Sequence, residues 1–206
     1  MDGLLFDSER IVQRSWEIAG DELGIPHMGD VIYHTLGMNR AGRNEYFRKY
    51  IREDFPFEEF GKLTRDNFWK IVDKEGLPLK KGAKELLAYG KSQGYKMAVA
   101  TSSSREYAMG NLIRAGIDSY FDSVVCGDMV KKAKPDPEIY IYTMKKMGVE
   151  PKDCYVVEDS TFGLQAAESA GAVVICKRDD RFGYDQSGAD YYIDRLAEIE
   201  DICLGK

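Results

Sequence analysis

Tyr95-Lys96-Met97-Ala98-Val99-Ala100-Thr101-Ser102-Ser103 is the stretch that decides how the 206 residues are read. A short apolar run ends in three hydroxyl side chains and leads straight into a helical pattern. The run does not alternate apolar with polar residues, so it reads as a strand covered on both faces. Similar runs recur at 123–126, 154–157 and 172–176, with a shorter edge candidate at 191–193. Helical patterns at 82–93, 104–115, 137–147 and 161–170 lie between them. Strands alternating with helices predict an α/β fold with a doubly wound, Rossmann-like parallel sheet. Such sheets carry their chemistry at the carboxyl ends of the strands.

Residues 8–78 differ. They are rich in Arg, Glu, Phe and Tyr and show helical periodicity without a convincing strand. Ile11, Trp16, Ile18 and Leu23 suggest one apolar helical face, Tyr46, Phe47, Tyr50 and Ile51 a second, and Phe68, Trp69 and Val72 a third. Aromatic stripes of this kind read as the core of an all-helical insert. The expected division is a sheet-bearing core from 1–7 and 79–206, interrupted by a helical insert at 8–78.

Composition narrows the function. With 29 basic and 35 acidic residues the net charge is −6, against nucleic-acid binding by bulk charge and against attraction to an anionic membrane. No apolar stretch approaches the roughly 20 residues of a membrane span. Asp2, Asp7, Glu9 and Arg10 argue against a signal peptide. Cys126, Cys154, Cys176 and Cys203 form no C-x-x-C pair and read as reduced thiols. The expectation is a cytoplasmic monomer acting on a small molecule.

Four segments stand at predicted strand ends: Met1-Asp2-Gly3-Leu4-Leu5-Phe6-Asp7-Ser8, Thr101-Ser102-Ser103, Lys134-Pro135-Asp136-Pro137 and Glu158-Asp159-Ser160 with Gly163. Each has an ordinary explanation. Hydroxyls before a helix suit a phosphate but also serve as caps. Adjacent carboxylates at the end of a buried strand call for a compensating cation such as Mg2+, yet Glu158 and Asp159 also complement a helix dipole. A lone lysine is usually solvated. Together the four supply an acid, hydroxyl donors, a cation and a carboxylate pair, which is the kit for phosphoryl transfer.

These motifs resemble the haloacid dehalogenase superfamily, in its branch of phosphatases and beta-phosphoglucomutase-like proteins with an alpha-helical cap. The resemblance covers essentially the whole chain. It implies that Asp2 is the general acid/base, and that Thr101, Ser102 and Ser103 bind the phosphoryl group with Lys134. It further implies that Glu158, Asp159 and the Asp2 carbonyl hold Mg2+, and that 8–78 is the cap. Arg40 matches the family's cap arginine, either gripping a distal phosphate or carboxylate or standing solvated. Val12 lies where the mutase carries a histidine, so a phosphatase of a small phosphorylated metabolite is preferred over a phosphomutase.

The family's first motif reads Asp-x-Asp-Gly, and its first Asp is the nucleophile. Placed on this sequence, that residue precedes Met1, together with a central strand. Losing ~6 residues of such a strand costs on the order of 10 kcal/mol, comparable to a domain's whole stability. The expectation is therefore a natural sequence that begins earlier. The 206 residues alone should be inactive, and a non-catalytic phosphometabolite-binding protein is the alternative.

Overall fold

The computed structural model describes residues 1–35, 40–179, 185–203 and 205, without the side chains of Arg40 and Ala41. The chain divides into two compact units, and the described residues of the first are 1–7, 78–179, 185–203 and 205, those of the second 8–35 and 40–77. Pro78 thus goes with the first unit, one residue earlier than the sequence suggests.

The second unit is built from α1 (Ser8–Glu22), α2 (Met28–Thr35), α3 (Arg40–Tyr50) and α4 (Phe57–Glu75). Its core is aromatic. Trp16 meets Phe47 and Phe60 edge-on, with ring centroids 5.7 and 5.5 Å apart. Ala19, Ile25, Met28, Ile32 and Phe55 complete the cluster. Ile18, Tyr50 and Trp69 are exposed, against the stripes read from the sequence. Ile18 is two residues from Trp16, about 200° round a helix. Trp69 stands in the same relation to Asn67 and Ile71, which define the buried face of α4. Tyr50 closes α3 and packs beside Tyr46 instead of turning inward. Arg14 and Glu75 tie α1 to α4 by a two-pronged ion pair at 2.7 and 2.9 Å.

The first unit contains α5 (Ala83–Ser92), β1 (Ala98–Thr101), α6 (Arg105–Ala115), β2 (Ser123–Cys126) and α7 (Glu138–Met147). After these come β3 (Tyr155–Glu158), α8 (Thr161–Ser169), β4 (Val173–Lys177), β5 (Tyr191–Ile193) and α9 (Glu198–Cys203). All strand pairing among the named strands is parallel, as the covered apolar runs require. The pairing falls into two sheets, β1-β2 and β3-β4-β5. Among the described residues β1 pairs only with β2, and β3 only with β4. One apolar cluster still runs through both pieces, joining Val125 of β2, Ile139, Tyr140 and Met144 of α7, Leu164 and Ala167 of α8, and Val174 of β4.

Met1–Asp7 folds as a tight turn. Leu5 and Phe6 donate their amides to the Met1 carbonyl at 2.8 and 3.2 Å. Gly3 has φ 73°, a left-handed value that favours glycine. The Phe6 side chain is fully buried. Residues 5–7 and 78–80 meet where the Asp7 amide donates to the Pro78 carbonyl and the Lys80 amide to that of Leu5. All four cysteines are free. No described helix is long and apolar enough to cross a membrane.

Two glycines separate packing from propensity. A Cβ at Gly20 would stand 2.5 Å from the Ile25 carbonyl oxygen and 2.6 Å from Met28 Cγ, whereas one at Gly110 would meet nothing within 4 Å. Gly20→Ala should destabilise the protein by about 1–3 kcal/mol through overpacking. Gly110→Ala, at an exposed position of α6, should stabilise it by about 0.5–1 kcal/mol through helix propensity. Urea midpoints of the two variants check both signs.

Candidate active site

The carboxyl ends of β1 and β3 meet at one lysine. Lys134 Nζ donates to the Ala100 carbonyl in β1 at 3.3 Å, to Glu158 Oε1 at the end of β3 at 2.5 Å, and to the Tyr140 hydroxyl at 2.8 Å. The Lys134 and Glu158 side chains are only 10% and 9% exposed. A buried pair survives only if the remaining lone pairs and protons are satisfied. Here they are. Tyr140 Oη donates to Glu158 Oε1 at 2.5 Å, and the Asp159 amide and Ser160 Oγ reach Oε2 at 3.2 and 3.3 Å.

Local sequence sets this up. Ser160 caps α8 by accepting from the Gly163 amide at 3.2 Å, which turns the chain directly after the two acids. The Glu158 carboxylate lies on the first turn of that helix, where a Cβ at Gly163 would fall 2.2 Å from its Cδ. Glycine is what leaves room for the carboxylate. Burial pushes the Glu158 carboxyl up. The Lys134 ammonium, the nearby N-terminal amine and the hydrogen bonds from Lys134 and Tyr140 outweigh burial and hold it at about 2. Burial, then the Glu158 charge, pushes the Tyr140 phenol well above its ordinary value, so it stays a donor.

Asp2 sits at the opening of the Met1–Asp7 turn and is half-buried. Its Oδ2 accepts from Ser103 Oγ at 2.8 Å and its Oδ1 from the Tyr107 hydroxyl at 3.0 Å. The first and second motifs are therefore in direct contact. Thr101 is buried at the end of β1 and accepts from the Ser103 amide at 3.2 Å, while Ser102 is exposed. The loop rests on Gly127, where a Cβ would fall 2.4 Å from the Ser102 carbonyl oxygen. The helix after it starts at Arg105, with Ser104 and not Ser102 or Ser103 as its cap, which frees the earlier hydroxyls.

The structure thus brings Asp2, Thr101 and Ser103 together through one set of contacts and Lys134 with Glu158 through another, both at the strand ends. Asp159 is half-buried, and its carbonyl accepts from Gln186 Nε2 at 2.7 Å. Arg40 opens α3 in the other unit, and its side chain lies outside the described residues. The sequence reading missed Tyr107, Tyr140, Gly127 and Gln186. The only signal for Tyr140 was its place six residues after Lys134, on the first turns of the next helix. Cys176, near the end of β4, is no candidate nucleophile, since burial pushes its thiol up to about 11.

Oxygen donors of this kind suit Mg2+ chemically. The arrangement does not complete a site for it. Both Glu158 oxygens are engaged by protein donors and both Asp2 oxygens by hydroxyls, and among the described residues no three acidic, histidine or cysteine side chains gather around a common point.

Comparison with known proteins fits this geometry. The chain belongs to the haloacid dehalogenase-like hydrolase family, whose pattern matches residues 1–177. It is 33% identical over 171 residues to a phosphorylated carbohydrates phosphatase of Thermotoga maritima, covering 83% of this chain and 79% of that one. CbbY from Rhodobacter sphaeroides, solved with phosphate, superposes with a TM-score of 0.70 at 25% identity, covering 97% and 93% of the two chains. A haloacid dehalogenase family hydrolase from Deinococcus radiodurans, solved with phosphate and sodium, shares the fold with a TM-score of 0.85 at 24% identity, covering 100% and 93%.

The buried pair predicts an acid limb in the stability curve. The Glu158 carboxyl titrates at about 2 when folded against an ordinary 4.5. A depressed carboxyl contributes stability above its unfolded value and loses it as pH falls from about 5 toward 2, here about 3 kcal/mol in all. Glu158→Gln should flatten that limb in urea titrations at successive pH values. Lys134→Met should cost about 3–5 kcal/mol at pH 7 by leaving the carboxylate unpaired, and adding Glu158→Gln should recover part of the loss.

Proposed function

We propose that this chain is the phosphatase part of an enzyme acting on small phosphorylated metabolites, phosphorylated carbohydrates foremost. The observation that supports the reading is the contact of Asp2 with Ser103 together with the Lys134–Glu158 pair, whose lysine also reaches the Ala100 carbonyl next to Thr101. The phosphatase name of the Thermotoga relative supports the substrate class.

In this reading an aspartate directly before Met1 attacks phosphorus. The ester P–O bond breaks, and the leaving oxygen takes a proton from Asp2. An acyl phosphate remains. Asp2, now a carboxylate, takes a proton from water as that water attacks phosphorus and frees the aspartate and inorganic phosphate. Thr101 and Ser102 donate to the phosphoryl oxygens, and Lys134 offsets their charge. Ser103 and Tyr107 orient the Asp2 carboxyl. Glu158 holds Lys134 in place and is spared any other task. The helical unit serves as the cap that excludes water between steps, with Arg40 reading the end of the substrate away from the transferred group.

The 206-residue chain should then show no turnover of p-nitrophenyl phosphate above background. An N-terminal extension by an apolar strand ending in Asp should restore Mg2+-dependent hydrolysis. In the extended chain Asp2→Asn should lower kcat by about 10²–10⁴-fold. Robust turnover by the unextended chain, abolished by Asp2→Asn, would overturn the reading.

Arg40 gives a second test. In the extended chain Arg40→Ala should reduce kcat/KM for a sugar bisphosphate by about 30- to 150-fold, the loss of one charge-assisted contact. The rate on p-nitrophenyl phosphate, which lacks a distal anion, should barely change. Equal losses on both substrates would remove Arg40 from specificity.

A further inference from the structure

The pairing between β3 and β4 ends with Glu158 opposite Cys176. One residue further along both strands a single side chain takes over. Gln186 Nε2 donates to the Asp159 carbonyl at 2.7 Å and to the Lys177 carbonyl at 3.4 Å, and its Oε1 accepts from the Asp179 amide at 3.4 Å. A carboxamide carries two N–H donors at one end and an acceptor at the other, so two carbonyls and one amide match it. Gln186 is half-buried and lies 27 residues from Asp159 in the chain.

Gln186 is itself anchored on both sides. Thr161 Oγ1, at the start of α8, donates to the Asp185 carbonyl at 2.7 Å, so residues 185–186 meet the opening of α8 at two points. The Asp185 carboxylate accepts from the Ser187 amide and hydroxyl at 3.0 and 2.7 Å. On the β4 side the Asp179 carboxylate is 3.1 Å from Lys80 Nζ, both side chains being largely buried, and the Lys80 amide donates to the Leu5 carbonyl at 2.8 Å. Opening a buried ion pair leaves a charge unpaired, so this anchor resists movement.

What Gln186 grips is the turn that holds Glu158. The Asp159 amide and the Ser160 hydroxyl reach Glu158 Oε2, while Oε1 is paired with Lys134. Asp159 is thus bound at its amide by Glu158 and at its carbonyl by Gln186. With the carbonyl fixed, the amide and the neighbouring hydroxyl keep facing the carboxylate. A chain of bonds runs from Gln186 through the Asp159 backbone to Glu158 and on to Lys134.

We propose that Gln186 is a positioning residue of the candidate site, holding the Glu158–Ser160 turn and, through the Glu158 carboxylate, the place of Lys134. Its effect on rate rests on the phosphatase reading, in which Lys134 offsets the charge of the phosphoryl group. Its hold on the turn does not.

Two variants test the proposal. Gln186→Leu removes both donors and the acceptor at similar size. Gln186→Glu keeps the shape and the acceptor and removes both donors. In the 206-residue chain each should speed amide hydrogen exchange at Asp159 and Gly163 about tenfold, the loss of one hydrogen bond, and leave Val99 and Val125 at the parent rate. In the extended chain each should lower kcat on p-nitrophenyl phosphate about tenfold while changing KM less than about twofold. In the Glu158→Gln background, where the carboxylate is gone, Gln186→Leu should lower kcat by less than about twofold. If the extended chain does not turn over at all, the phosphatase reading fails and the exchange rates alone decide the hold on the turn. Unchanged exchange in a folded variant, unchanged kcat in an active chain, or an equal loss in the Glu158→Gln background would overturn the proposal. Loss of the folded state in both variants would make Gln186 structural only and overturn it as well.

Discussion

A carboxylate taken out of water must be met on every side, and Glu158 is where this structure meets that demand. Its four partners come from three places: Lys134 from a loop, Tyr140 from α7, and the Asp159 amide and Ser160 hydroxyl from the opening of α8. Removing any one leaves a buried group unsatisfied, so each element holds the others in place. The same lysine reaches the Ala100 carbonyl in β1. Two sheets that share no strand pairing are thereby fastened at their carboxyl ends. Apolar packing through α7 and α8 fills the space behind, but it does not aim side chains.

The second arrangement, around Asp2, is of another kind. Its carboxyl is half-buried and accepts from two hydroxyls, those of Ser103 and Tyr107. Under the proposed function Asp2 is the carboxyl that gives up and regains a proton, and Glu158 the one that positions a cation.

The helical unit has its own core, in which Trp16, Phe47, Phe55 and Phe60 meet mostly edge to face. Large rigid rings pack with gaps that small side chains must fill. At Gly20 a missing side chain allows Ile25 and Met28 to close in.

Much of this was legible in the residues. Apolar runs without alternation fixed the parallel strands to within a few residues, because strands buried on both faces carry that composition wherever they occur. The four motifs marked the strand ends, since hydroxyls, carboxylates and a lysine at such positions need a common partner. Periodicity gave the helices of 8–78 but not all of their buried faces: Ile18 and Trp69 lie some 200° from the true stripe, and only the neighbours of a helix decide which stripe is covered. The partners of the functional groups were not legible. Tyr140 lies 18 residues from Glu158, and Tyr107 lies 105 residues from Asp2. No spacing rule links residues so far apart; they meet only because the sheet brings its carboxyl ends to one side. The sequence determined which chemical groups stand at the strand ends. The tertiary structure decided which carboxylate is paired with a buried cation and which is met by hydroxyls, because those partners lie far apart in the chain and come together only on folding.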